Sequence, residues 1–291
     1  MHEHRADYRS YIRGNGIEIG ALGSPYAVDP GVGVLYSDIM TPEQIDALYP
    51  GARHPDIISD SESFPSIADN AFDFVIANHV LEHITDPIKA LCEWHRILAD
   101  GGHVLMAIPD KRLTFDRGRS RTTLRHLIAD HASTVEPCKR NLPHLHEWAT
   151  HVEKLAEDTP EWRNWVASQV AAGYTVHNHV WVMADLFELL RYLRARCAIG
   201  FSIVRCNNTP RRDIEFIFLL RAEKHPLPVL AEFARHVAFT TRWGLHGGLG
   251  SVHGYLELSD RHSAPLREKF KRWLRPVVPY ALLRALRRLR G

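Results

Sequence analysis

Phe72-Asp73-Phe74-Val75-Ile76-Ala77-Asn78-His79-Val80-Leu81-Glu82-His83 is the stretch on which the fold turns. Residues 72–77 are aromatic and β-branched in a short run, which predicts a buried strand. Downstream, Asp86 and Pro87 open a predicted helix over 86–99 as cap and first-turn residues, with Ile88, Leu91, Cys92, His95 and Leu98 on its inner face. Asp100-Gly101-Gly102 stops that helix, and residues 103–108 read as the next strand, ended by Pro109. Upstream, short apolar runs over 16–20, 33–37 and 56–59 predict three more strands, and Thr41-Pro42-Glu43 opens a short helix between the last two. Strands alternating with helices at this spacing imply βα units and a parallel sheet.

The rhythm lapses from Asp110 to about Thr175, a stretch rich in Arg, His and Trp and too long for an ordinary βα connection. It is expected to be a helical insertion above the sheet. Order returns with a predicted helix over 183–196. Two strands follow, over 201–205 and 214–220, joined by Asn207-Asn208-Thr209-Pro210 as an antiparallel hairpin. The fold class expected is therefore α/β, a Rossmann-like doubly wound sheet, mostly parallel with its last strand antiparallel. The expected organisation is 1–110 and 177–224 as the two parts of the main domain, 111–176 as insertion or lid, 225–264 as an irregular extension and 265–291 as a basic amphipathic tail.

Several segments resemble the class I methyltransferases often called type 11. Ile17-Glu18-Ile19-Gly20 resembles the family's first-strand motif, Asp60-Ser61-Glu62-Ser63-Phe64-Pro65 its acidic segment, and residues 72–83 its fourth strand with the following turn. Leu98-Ala99-Asp100-Gly101-Gly102 resembles its junction into the fifth strand. The resemblance implies S-adenosylmethionine as cofactor, held by Glu18, Gly20, Ala21, Asp38, Asp60, Ser61 and Asn78. Gly20 would let the amino acid end approach the backbone; Asp38 would accept from the ribose hydroxyls and Asp60 from the adenine amino group. Glu18 would hold the ammonium or brace the loop. The family's Gly-x-Gly-x-Gly loop is altered, with Gly20, Leu22 and Ser24 at the aligned positions and Gly23 displaced.

Glu18-Ile19-Gly20-Ala21-Leu22, Ile108 to Arg112, Thr114 to Arg117 and His177-x-His179-Val180-Trp181 further resemble a bacterial subgroup that accompanies glycosyltransferases in surface-polysaccharide pathways. This implies a saccharide or glycolipid acceptor and in-line O-methylation. Two alternatives stay open: a small-molecule O- or N-methyltransferase acting on a quinone or secondary metabolite, and a non-catalytic scaffold partnering a glycosyltransferase.

Taking a proton from an attacking hydroxyl asks for a His or carboxylate near the methyl. Ligands meet open α/β sheets at the carboxyl ends of strands, which makes His79, Asp110, Asp116, His144, His146, His177 and His179 candidates. His79, His146, His179 and Asp110 are the catalytic assignments. His83 reads as a residue that caps or packs the next helix. Asp110 and Asp116 with Arg112, Arg117 and Arg119 read alternatively as an ion-pair network closing the insertion. His177 and His179 alone lack a matched third ligand, so no metal is assigned. Trp148, Trp162, Trp165 and Trp181 offer flat faces to a sugar ring or serve the core.

The chain has 291 residues, 45% of them hydrophobic and 24% charged, ordinary globular proportions. Its net charge of +2 conceals an asymmetry, since residues 265–291 carry nine Lys or Arg against Glu268 alone. The tail is thus +8 and residues 1–264 are −6. An acidic body argues against nucleic acid. The tail, in which Trp273 and leucines interleave with the basic residues, fits an anionic membrane surface, with a helix docked on the acidic body or bound to a partner protein as the alternatives. No apolar run is long enough to span a bilayer, the start is polar, and the four cysteines show no pairing pattern, so a cytoplasmic protein is expected, peripheral at the inner membrane surface through its tail.

Overall fold

A computed structural model describes Arg5, residues 7–209 and residues 213–224. Met1–Lys224 is one compact unit. The extension over 225–264 and the tail over 265–291 lie outside the described residues.

Seven strands form one sheet: β1 (Asn15–Ile19), β2 (Gly33–Asp38), β3 (Ile57–Ile58), β4 (Phe72–Asn78), β5 (Leu98–Pro109), β6 (Gly200–Asn207) and β7 (Glu215–Glu223). Their order is β3-β2-β1-β4-β5-β7-β6. The first five pair in parallel, and β7 runs antiparallel to both β5 and β6. This is a doubly wound Rossmann-like sheet closed by a hairpin, with the strand order reversing beside β1. Phe74, Val75, Ile76 and Ala77 of β4 have no accessible surface, which accounts for the unbroken apolar run of a strand covered on both faces.

The helices that frame the sheet are α1 (Pro42–Leu48) and α2 (Pro87–Ile97). Thr41 and Gln44 close a capping box on α1, and the Asp86 carboxylate accepts from Lys89 N on α2. Helix α2 ends at Ile97, two residues earlier than expected. The strand starts at Leu98 because its pairing with Phe72 begins before an irregularity between Phe72 and Phe74, where Gly101 takes φ +82°. No helix forms over residues 20–32, between β1 and β2; the chain crosses in turns.

The insertion contains α3 (Leu124–His131), α4 (Pro137–Arg140), α5 (Leu142–His151) and α6 (Pro160–Ala172), followed by α7 (Met183–Arg196), which returns the chain to the sheet. Leu145, Trp148, Ala149, Trp162, Val166 and Val176 form a small core of their own. Trp181 is 1% exposed and Trp148 and Trp162 are below 10%, so these three tryptophans serve packing. The segment that leaves the insertion returns beside the end of β5, where Asp110 bridges Trp181 and Lys111 N donates to Trp181 O at 3.0 Å. Among the described residues no helix is long and apolar enough to cross a membrane, and all four cysteines are free thiols.

Candidate active site

The carboxyl ends of the parallel strands supply one rim. Ile19 is in register with Ser37 on one side and Ala77 on the other, so Gly20, Asp38 and Asn78 occupy the next level together. Asp38 pairs with Ile58, which puts Asp60 two residues beyond that level on the outer strand. Gly20 has φ +65°, a left-handed conformation that suits glycine, and a Cβ there would come within 3.0 Å of Val80 Cγ2. Its N–H donates to Ser37 O at 2.8 Å, fixing the turn, and Ala21 follows half-buried.

Glu18 is 2% exposed and both its oxygens accept from Tyr26 N, at 2.9 and 3.0 Å. It braces the loop between β1 and β2. Burial pushes its carboxyl up to about 7, against the lowering effect of the Tyr26 N–H and Arg5. Asp38, also raised by burial, accepts from Met40 N at 2.9 Å. Asp60 is exposed and accepts from Glu62 N, while the Ser61 N–H is taken up by Ser59 Oγ at 3.0 Å. Two buried oxygens on this rim, Ser37 Oγ and Asn78 Oδ1, have no hydrogen-bond partner among the described residues. A rim of acceptors short of donors fits a ligand bearing an ammonium, a ribose diol and an adenine amino group.

A second group of polar side chains lies beside it, on the turn after β4. His79 has φ +56° and stands between two buried carboxylates, with Nε2 at 2.6 Å from Glu215 Oε2 and Nδ1 at 3.6 Å from Glu82 Oε1. Burial pulls its pKa down, but the bond to Glu215 and the two negative charges outweigh it and the net direction is up. Arg5 Nε donates to the same Glu215 at 2.6 Å. Glu82 is 1% exposed and neither of its carboxylate oxygens has a hydrogen-bond partner. Within 4.8 Å of one another lie one ligand atom each of Glu82, His83 and His177.

His177 is held by the insertion. Its Nδ1 is 2.7 Å from Asp116 Oδ2, and Asp116 is in turn fixed by Arg119 Nη1 at 2.9 Å. With Nδ1 donating to the carboxylate, Nε2 keeps its lone pair. Arg119 is fully buried and also donates to His177 O at 2.7 Å and to Glu147 on α5. Backbone docking completes the junction: His179 N donates to Glu82 O at 3.0 Å and Asn178 Nδ2 to His83 O at 2.7 Å. Phe115 is 54% exposed, with its ring centroid 5.1 Å from that of His177.

Of the catalytic assignments, His79 lies in this group. Asp110 is fully buried, paired with Arg112 at 2.5 Å and accepting from Thr209 Oγ1 at 3.0 Å. His146 packs on Trp162 at 4.6 Å within the insertion, and His179 is 1% exposed beside His126 and His144. The tertiary structure adds Glu82, to which the sequence assigned no role, and His83, which the sequence assigned to capping or packing, and it ties Asp116 to His177 across 61 positions.

A family model described as a methyltransferase domain matches residues 27–106. No curated protein matches the sequence. Among solved structures, a methyltransferase from Methanosarcina mazei is similar at 17% identity, covering 77% of this chain and 98% of that one with a TM-score of 0.39. One from Mesorhizobium loti is 11% identical, with 72% and 92% covered and a TM-score of 0.40. A Rhodobacter sphaeroides protein described as a zinc-dependent alcohol dehydrogenase is 12% identical, with 76% and 89% covered and a TM-score of 0.46. Such identities say nothing about an acceptor. The chain carries a methyltransferase domain over residues 27–106, and the cofactor of that enzyme class is S-adenosylmethionine.

Proposed function

We propose that the chain O-methylates a saccharide or glycolipid hydroxyl, with His177 as the base that removes the hydroxyl proton. The observation that carries this reading is the buried Asp116–His177 pair at 2.7 Å beside the buried Glu82 carboxylate, which among the described residues accepts no hydrogen bond, on the turn that follows β4. Asp116 fixes the imidazole tautomer and supports the charge that arises when Nε2 takes a proton, the division of labour of a carboxylate-oriented general base. The cofactor supplies an electrophilic methyl on a sulfonium. The acceptor oxygen forms the new bond to carbon as the carbon–sulfur bond breaks, and the proton passes to His177. Glu82 can accept from a second hydroxyl of the acceptor, and the exposed Phe115 ring gives a sugar a flat face to stack on. His79, whose pKa is raised by Glu215 and Glu82, offers a ring N–H to the acceptor. Gly20, Ala21, Asp38, Asp60, Ser61 and Asn78 face the cofactor, with Glu18 supporting their loop. The basic residues 265–291 would bring the enzyme to membrane-borne acceptors.

The test is release of S-adenosylhomocysteine from the full chain against a panel of nucleotide sugars, free oligosaccharides and lipid-linked saccharides, beside quinones and phenols. Turnover with a saccharide, falling about 100-fold or more in His177→Gln while cofactor affinity by calorimetry stays within about twofold, is the expected result. Turnover with quinones alone would replace the acceptor class. Cofactor binding without turnover on any acceptor would favour the scaffold.

A further inference from the structure

Four side chains outside the proposed base converge on one point in the insertion. His126 and Asp130 stand one turn apart on α3, His144 lies on α5, and His179 belongs to the segment that docks on the turn after β4. One ligand atom from each lies within 4.8 Å of all the others. The three imidazoles meet edge to face, with centroids 5.1 Å apart for His126 and His144, 5.5 Å for His126 and His179, and 5.3 Å for His144 and His179. Asp130 Oδ2 is 3.1 Å from His126 Nε2 and 3.9 Å from His179 Nε2.

The hydrogen bonding of this group is incomplete. Among the described residues, His126 Nε2, Asp130 Oδ2 and His179 Nδ1 are buried with no hydrogen-bond partner, although Asp130 and His126 are close enough for one. Buried polar atoms are nearly always satisfied, and a cluster left short in this way calls for a partner that accepts lone pairs. A second proton donor does not answer, because His144 and His179 are deeply buried. Each unprotonated imidazole nitrogen in the cluster offers a lone pair. A divalent cation accepts from all four groups at once.

We propose that His126, Asp130, His144 and His179 form a zinc site that fastens the insertion to the end of β4. Three imidazole nitrogens and a carboxylate oxygen, with no sulfur, are ligands zinc takes readily. A tetrahedral shell with bonds of about 2.0–2.1 Å has edges of about 3.3 Å, so the four atoms close on the ion with side-chain adjustments of an ångström or so. Four protein ligands leave no open position, which makes the site structural rather than catalytic. Its position gives it a purpose. His179 N donates to Glu82 O, and His177, the proposed base, lies two residues upstream. The ion joins α3 and α5 to that segment, so it fixes the distance between the insertion and the sheet on which His177 depends.

The site can be tested without turnover, and its failure is separate from failure of the acceptor reading. The full chain, purified without a histidine tag, is titrated with zinc and then analysed for bound metal by mass spectrometry. A cobalt-substituted sample is examined for the visible bands of tetrahedral cobalt. About one zinc per chain with a tetrahedral cobalt spectrum is expected. His126→Ala, at a half-exposed position that tolerates truncation, should weaken zinc at least about tenfold and abolish the cobalt bands while far-UV circular dichroism is unchanged. Asp130→Asn should weaken it in the same direction, and Glu82→Gln should leave the stoichiometry at one. A folded wild-type chain that takes up no zinc would overturn the site, as would metal lost in Glu82→Gln and retained in His126→Ala.

Discussion

Glu18 shows how one buried acid can be costly and retained. Its carboxylate organises the loop between β1 and β2 through Tyr26 N, yet burial raises its pKa from 4.5 to about 7. The folded state therefore binds a proton more readily than the unfolded chain, and folding stability falls as pH rises between those two values. The shift corresponds to about 3 kcal/mol once the pH exceeds both. Glu18→Gln keeps an oxygen for Tyr26 N and removes the charge. The difference in melting temperature, wild type minus variant, should accordingly decline from pH 5 to pH 8 and then level off. A flat difference would mean that the carboxylate is solvated or paired in solution. The same scale explains Gly20, whose φ of +65° and close approach to Val80 leave little room for a side chain.

At the scale of elements, the junction between insertion and sheet is concentrated in Arg119. Its guanidinium joins the turn carrying Asp116, the backbone of His177 and Glu147 of α5, without any exposure to solvent. Removing one partner of a buried charge network leaves the others uncompensated, at a cost of about 3–5 kcal/mol. Arg119→Met should lower the denaturant midpoint correspondingly and raise hydrogen exchange in α5 and over 176–179. Calorimetric affinity for S-adenosylhomocysteine should be nearly unchanged, because Arg119 touches no residue of the Gly20–Asn78 rim. Equal loss of cofactor binding would show that insertion and rim act as one unit.

The whole chain divides its charge between a body at −6 and a tail at +8. Burial and hydrogen bonding of the described sheet are complete by Lys224, and Met1–Lys224 is compact by itself. A chain ending at Lys224 should therefore melt cooperatively and bind S-adenosylhomocysteine as the full chain does, whereas sedimentation with anionic vesicles, expected of the full chain at low salt, should be lost. Vesicle binding that survives truncation would place the membrane contact in the body.

The sequence by itself determined the seven strands, their parallel run and closing hairpin, because strand runs and helix caps are local in the chain and the sheet's pattern follows from their alternation. Residues 72–83 carried the family likeness and α7 was bounded at both ends by its own periodicity. The placement of Gly20, Asp38 and Asn78 at the carboxyl ends of neighbouring strands was also legible, since it follows from the strand boundaries. Only the tertiary structure decided which histidines face which acids. Asp116 meets His177, and His126 and Asp130 meet His144 and His179, through helices whose packing has no short-range signature. His126 and Asp130, four apart on one helix face, were the one trace of that cluster, and a four-residue spacing is shared by every amphipathic helix. The physical reason is separation along the chain: local propensities fix elements, whereas a site whose groups come from different elements, up to 61 positions apart, is set by how the insertion's own small core docks on the sheet.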